Sequence, residues 1–150
     1  ALPIYHAPPR KFVVKAHDHT DNWCEQCFSH ETYLDVLNVR KVRSALARLR
    51  TSSHDLEIER GRYNNVNRED RVCKLCGNGI EHEVHFLLIC PSLQHLSNKY
   101  IPRKYYNRVS LQSFAILMSS RNENVIKYFA MYAYYGFIAG KRILISMNVN

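Results

Sequence analysis

Cys73-Lys74-Leu75-Cys76-Gly77-Asn78-Gly79-Ile80-Glu81-His82-Glu83-Val84-His85-Phe86-Leu87-Leu88-Ile89-Cys90 is the stretch on which the fold turns. Its pattern is C-x2-C-x8-H-x4-C. Two thiolates separated by two residues grip an ion from one tight turn, because both side chains point into the same concavity. A histidine and a cysteine five apart supply the remaining two corners from a helix and its end. Three sulfurs and one imidazole suit tetrahedral Zn²⁺, and a site closed by four protein ligands is structural rather than catalytic. Soft sulfur argues against Mg²⁺ or Ca²⁺. The expected ligands are therefore Cys73, Cys76, His85 and Cys90. His82 competes with His85 from one turn earlier, and the residues alone favour His85 through the H-x4-C closing spacing.

Around this cluster the sequence reads as mainly helical, a small domain with a CCHC zinc knuckle in its middle. Gly77-Asn78-Gly79 is a tight-turn signal, 81–89 reads as a helix, and Pro91 closes it. Upstream, residues 31–50 form an expected basic amphipathic helix. At about 100° per residue, Leu34, Val42, Ala45, Leu46 and Leu49 fall on one stripe. Arg40, Arg43 and Arg50 lie opposite, with Lys41 and Arg48 toward one flank. Leu56 and Ile58 alternate with Glu57 and Glu59, which predicts a brief extended piece ending at Gly61. The knuckle is expected over 61–91. The C-terminal helices over 92–145 bury Leu93, Leu96 and Tyr100, then Leu111, Phe114 and Leu117 behind a Ser110 cap. The last helix, 123–143, places Val125, Phe129, Tyr132 and Gly136 on one stripe. Residues 1–30 show no helical or alternating period and read as a loosely structured arm. Within it, Cys24-x2-Cys27, with His17, His19 and His30 nearby, can be read as incidental, as a second metal site, or as partners of Cys73 and Cys76.

Composition narrows the function classes. The chain has 150 residues, 46% hydrophobic and 23% charged, with a formal charge of +8. That is globular composition, and the excess charge favours a polyanionic partner, nucleic acid before membrane. The charge is uneven. Residues 40–74 hold ten basic side chains against five acidic ones, and residues 99–142 hold eight against Glu123 alone. Candidate phosphate contacts are Arg40, Arg43, Arg48 and Arg50 on the basic helix. Arg60, Arg62, Arg68, Arg71 and Lys74 follow nearer the knuckle, with Tyr63 available for base stacking. No signal peptide opens the chain, and cysteine usage fits a reducing setting, so the expected compartment is intracellular, and nuclear. The apolar run 128–140 is too short to span a bilayer.

Three segments together resemble a known family. They are Arg48-Leu49-Arg50-Thr51-Ser52-Ser53-His54-Asp55-Leu56 running on to Gly61-Arg62-Tyr63, then Arg71-Val72-Cys73-Lys74-Leu75-Cys76, then Glu81-His82-Glu83-Val84-His85-Phe86 through Cys90-Pro91. The outline is similar to the zinc-binding region at the C-terminus of non-LTR retrotransposon reverse transcriptases, and it covers about residues 31–142. The resemblance implies that Cys73, Cys76, His85 and Cys90 are the ligands, since the place of His82 usually holds a small polar residue there. It also implies an accessory role in target-primed reverse transcription, holding template RNA or target DNA, with the remainder of a reverse transcriptase as a possible partner. The polymerase Asp-Asp pair, an endonuclease carboxylate set and a ribonuclease-type acidic cluster do not occur in this chain, so it reads as a detached tail without catalysis of its own. Asp55 beside His54, and the pair Glu81/Glu83, are the weak acid–base candidates. A competing reading is a protein-interaction domain docking through Tyr132, Tyr134, Tyr135 and Phe137.

Overall fold

The computed structural model describes residues 31–147 together with the backbone of two short strands, 13–17 and 23–27. These strands, β1 (Val13–His17) and β2 (Trp23–Cys27), pair antiparallel with Val13 opposite Cys27 and His17 opposite Trp23. The segment expected to be an arm without regular structure therefore contains a hairpin. The remaining described elements are helical, as expected of a mainly α chain.

The basic helix is broken in two. Helix α1 spans Thr32–Val36 and α2 spans Arg40–Arg50. Leu37 and Val39 between them are extended, so the 100° count does not run through. As a result Leu34 is exposed and Leu37, at 5% exposure, takes the core position instead. Beyond the break the stripe holds, for Ala45, Leu46 and Leu49 are all buried.

Residues 56–63 correct the sequence reading. Leu56 is extended, but Glu57–Tyr63 is a helix, α3. The backbone N–H of Glu57 donates to the Glu81 carboxylate at 2.8 Å, and that of Ile58 donates to the Glu81 carbonyl at 3.1 Å. A carboxylate at a helix N-terminus satisfies donors that have no partner within the helix. Gly61 does not end this helix. It sits inside it because a Cβ there would lie 2.5 Å from Cγ of Arg71.

After the knuckle come α4 (Gln94–Tyr100), α5 (Arg103–Tyr106), α6 (Leu111–Met118) and α7 (Glu123–Met147). Ser110 caps α6, its hydroxyl accepting from the Ser113 N–H at 3.0 Å. Leu117 is fully buried while Leu111, expected inside, is 78% exposed on the first turn of that helix. Asn122 caps α7 by accepting from the N–H groups of Asn124 and Val125.

Helix α7 is the spine. It packs against α1, α2 and α4. Ile126, Phe129, Ala130 and Ala133 follow an i, i+3, i+4, i+7 spacing and are at most 1% exposed, so they line a single buried face. Tyr132 is buried beside them and donates its hydroxyl proton to the carbonyl of Phe86. Burying a side chain of this size stabilises by roughly 1.5–3 kcal/mol, so this face accounts for much of the core.

Candidate metal centre

The four donors reach one another through three pieces of local structure. Val72 and Ile80 form an isolated antiparallel bridge. Inside it, Cys73 N–H donates to Gly79 O at 2.9 Å and Gly77 N–H donates to Cys73 O at 2.8 Å. Gly77 and Gly79 have φ of +69° and +68°, a region glycine enters without steric cost. That double reversal turns the sulfurs of Cys73 and Cys76 toward the same side. The expected helix over 81–89 begins at Glu83 and passes at His85–Ile89 into a wide turn, in which Cys90 N–H donates to His85 O at 2.7 Å. An i→i−5 turn of this kind is rare and concentrates at functional sites. Here it sets His85 and Cys90 at the two ends of one turn.

The result is a cluster in which one ligand atom each from Cys73, Cys76, His85 and Cys90 lies within 4.8 Å of the other three. The Cys73 and Cys90 sulfurs are 3.9 Å apart, and the Cys76 sulfur is 3.3 Å from His85 Nε2. Cys73, His85 and Cys90 are buried and Cys76 is half-buried. A soft divalent ion fits this donor set. His82 stands outside it: its Nδ1 accepts from the His85 backbone N–H at 3.1 Å. The choice between the two histidines thus falls to His85 by geometry.

Charge and protonation follow from proximity. The hydrogen-bonding contact between the Cys73 and Cys90 sulfurs, together with burial, pushes Cys73 up to about 12, while the same contact lowers Cys90. A cation binding here displaces protons from thiols, so binding and pH are coupled. Burial raises Glu81, whose Oε1 lies 3.5 Å from the Cys73 sulfur. Glu81 therefore ties the cluster to the N-terminus of α3. On the other flank the buried His54 places Nε2 at 3.1 Å from Glu83, and Ser52 donates to the same carboxylate oxygen. The His54 bond is the main reason Glu83 is held at about 2. The imagined acid–base groups thus have structural partners, and Asp55 pairs with Arg48 and Lys141.

The expected phosphate contacts divide. Arg40 is exposed and Arg43 half-buried on α2, and Arg68 is exposed in a short turn, 68–70. Arg48 pairs with Asp55 and donates to Ser53 O, Arg60 and Lys74 both pair with Glu57, and Arg62 pairs with Glu59 beside the 76%-exposed Tyr63. Two are internal. Arg71 donates to Val66 O and Ile58 O through three nitrogens, stitching α3 to the knuckle. Arg50 is held by Glu31 and lies 5.0 Å above the Tyr33 ring. Lys141, absent from the expected contacts, shares a hollow with Arg40, Lys41 and Arg48. It lies almost a hundred residues away in sequence, and only the packing of α2 on α7 joins them. The aromatic set on α7 divides: Tyr132 is buried, Tyr134 and Phe137 are half-buried with Phe137 stacked on Phe86 at 5.0 Å, and Tyr135 is exposed while stacking on Tyr100 at 5.8 Å. The side chains of Cys24 and Cys27, and with them the question of a second metal site, lie outside the described residues.

No family model, no curated protein and no solved structure matches this chain. Among the described residues, no helix is long and apolar enough to cross a membrane.

Proposed function

We propose that the chain is a zinc-stabilised nucleic-acid-binding module, the C-terminal zinc-binding part of a non-LTR retrotransposon reverse transcriptase. One observation carries this reading: Cys73, Cys76, His85 and Cys90 converge within 4.8 Å at the centre of a strongly basic chain. Zinc is the ion the donor set favours. A tetrahedron with zinc–sulfur bonds of about 2.3 Å has sulfur–sulfur edges of about 3.8 Å, and the Cys73–Cys90 separation of 3.9 Å is close to that edge. All four corners come from protein, which suits an ion that holds structure. The motif order quoted above supports the family assignment. The uncompensated cations on α2 and in the C-terminal third support a polyanionic ligand.

The test is binding of the zinc-loaded full chain to RNA and to DNA, followed across salt. Micromolar or tighter affinity at about 50 mM salt, falling steeply with added salt, is the expected result. A folded, zinc-loaded sample that binds neither overturns the nucleic-acid reading.

A further inference from the structure

Two hollows meet on the face where α2 packs against α7. The first, of about 480 Å³, is bounded by Arg40, Lys41, Arg48 and Lys141, with Tyr134 at its wall and no carboxylate among its lining residues. Among the described residues Arg40 and Lys41 have no ion-pair partner, while Asp55, at the edge, faces Arg48 at 3.4 Å and Lys141 at 3.6 Å. Helix α2 contains no acidic residue. Its cations therefore repel one another with little relief from within the helix, and a row of phosphates would supply that relief. The second hollow, of about 340 Å³, shares Arg48, Phe137 and Lys141 with the first. One side of it is apolar, with Leu75, Phe86, Phe137 and Leu144 around the bare backbone of Gly136 and Gly140, and the other is polar, with Asp55, Glu57 and Glu81 beside Arg60. Gly140 leaves this space open, since a Cβ there would meet only Leu75, at an ordinary 3.6 Å.

A basic trough beside a recess with one aromatic side and one carboxylate-lined side matches the two parts of an unpaired nucleotide: a charged backbone, and a base whose face can pack on Phe137 while its exocyclic N–H groups donate to a carboxylate. A duplex shows only phosphates, sugars and base edges and keeps its base faces stacked, so no base could enter the recess without being unpaired. Resting on the nucleic-acid reading above, we infer that these hollows seat a single strand, its phosphates on Arg40, Lys41 and Lys141 and one base turned in beside Phe137. On the α3–knuckle flank Arg60, Arg62 and Lys74 are paired with Glu57 or Glu59, as Arg48 and Lys141 are with Asp55. Among the described residues the trough keeps Arg40 and Lys41 without an ion pair and the flank only Arg68, so the flank is the weaker surface.

The experiment uses the zinc-loaded full chain and oligomers of roughly 20 nucleotides, single-stranded or annealed, with 2-aminopurine at the centre. Single strands are expected to bind at least about tenfold tighter than duplex, with 2-aminopurine emission changing on binding. The Arg40→Ala/Lys41→Ala variant should weaken single-strand binding about tenfold or more and lower the salt slope by about 1.5. Gly140→Leu, which fills the recess, should leave the salt slope intact while abolishing the emission change and the single-strand preference. Arg62→Ala/Arg68→Ala should weaken binding less than the α2 variant does. The inference is overturned if the α2 variant binds like wild type while Arg62→Ala/Arg68→Ala binds weakly, a result that leaves the nucleic-acid reading standing. It is overturned likewise if Gly140→Leu keeps both the preference and the signal. A folded wild-type chain that binds no oligomer removes the nucleic-acid reading itself.

Discussion

The knuckle and the α2–α7 pair are built by different physics. Between Val72 and Cys90 the backbone makes one isolated bridge, two left-handed glycine turns and one wide helical turn, with little regular ladder to hold them. Four side chains aimed at one point give that segment its shape. The α2–α7 pair needs no such centre, because Leu46, Leu49, Ile126, Phe129, Ala130 and Ala133 bury along continuous faces. The two parts join at Phe86, which receives the Tyr132 hydroxyl at its carbonyl and stacks on Phe137 with its ring. Ser97 on α4, donating to Leu87 O, ties the knuckle to that helix as well. An ion held by Cys73, Cys76, His85 and Cys90 would add a constraint on this segment to the burial of Leu75, Phe86, Leu87 and Leu88, which fixes where it sits.

The sharpest way to break the contrast is to remove the metal. Structural zinc contributes on the order of 10–16 kcal/mol in finger peptides, more than many small domains have in total. Chelation, or Cys73→Ser, should therefore unfold residues 60–95 at least. Hydrogen exchange should show the wide turn and the 72–80 bridge losing protection first, with the 126–136 amides of α7 retaining the most. Uniform loss across both regions would mean that they are one cooperative unit.

Cutting the joint should come next in size. Phe86→Ala removes a 2%-exposed ring and is expected to cost about 3–5 kcal/mol. Tyr132→Phe, which strips one buried hydrogen bond and leaves the Phe86 carbonyl without it, should cost about 1–3 kcal/mol. Both are read from denaturant midpoints of the metal-loaded protein. A smaller effect separates two glycines one turn apart on α7. A Cβ at Gly136 would lie 2.7 Å from the Phe86 ring, so Gly136→Ala should destabilise by about 1–3 kcal/mol. At Gly140 the nearest atom is 3.6 Å away, and Gly140→Ala should stabilise the helix by up to about 1 kcal/mol. Equal responses at the two sites would contradict the close approach of Phe86 to α7.

The parts legible in the sequence were those set by short-range pattern. Ligand spacing identified Cys73, Cys76, His85 and Cys90, and 3.6-residue periodicity found the buried faces of α2 and α7. Some misses are local, such as the break at Leu37–Val39 and the exposure of Leu111, and others depend on partners far along the chain. Leu56 to Glu59 alternate as a strand would, ending at Gly61, and nothing local shows that the N-terminal donors of a helix there are satisfied by Glu81, twenty-four residues after Glu57. Gly61 looked like a stop because nothing local shows Arg71 lying across it. Arg50 and Arg71 looked like surface cations, yet Glu31 and Tyr33 hold the one and the carbonyls of Ile58 and Val66 hold the other. The hollow shared by Arg40, Lys41 and Lys141 could not be seen before α2 was placed on α7.

Metal content per chain, measured by native mass spectrometry on protein purified without added metal, tests the centre most directly. The expected result is one zinc ion per chain, lost in Cys73→Ser/Cys90→Ser and kept in Cys24→Ser/Cys27→Ser. A well-folded chain that carries no metal, or one whose zinc depends on Cys24 and Cys27 instead, would contradict it.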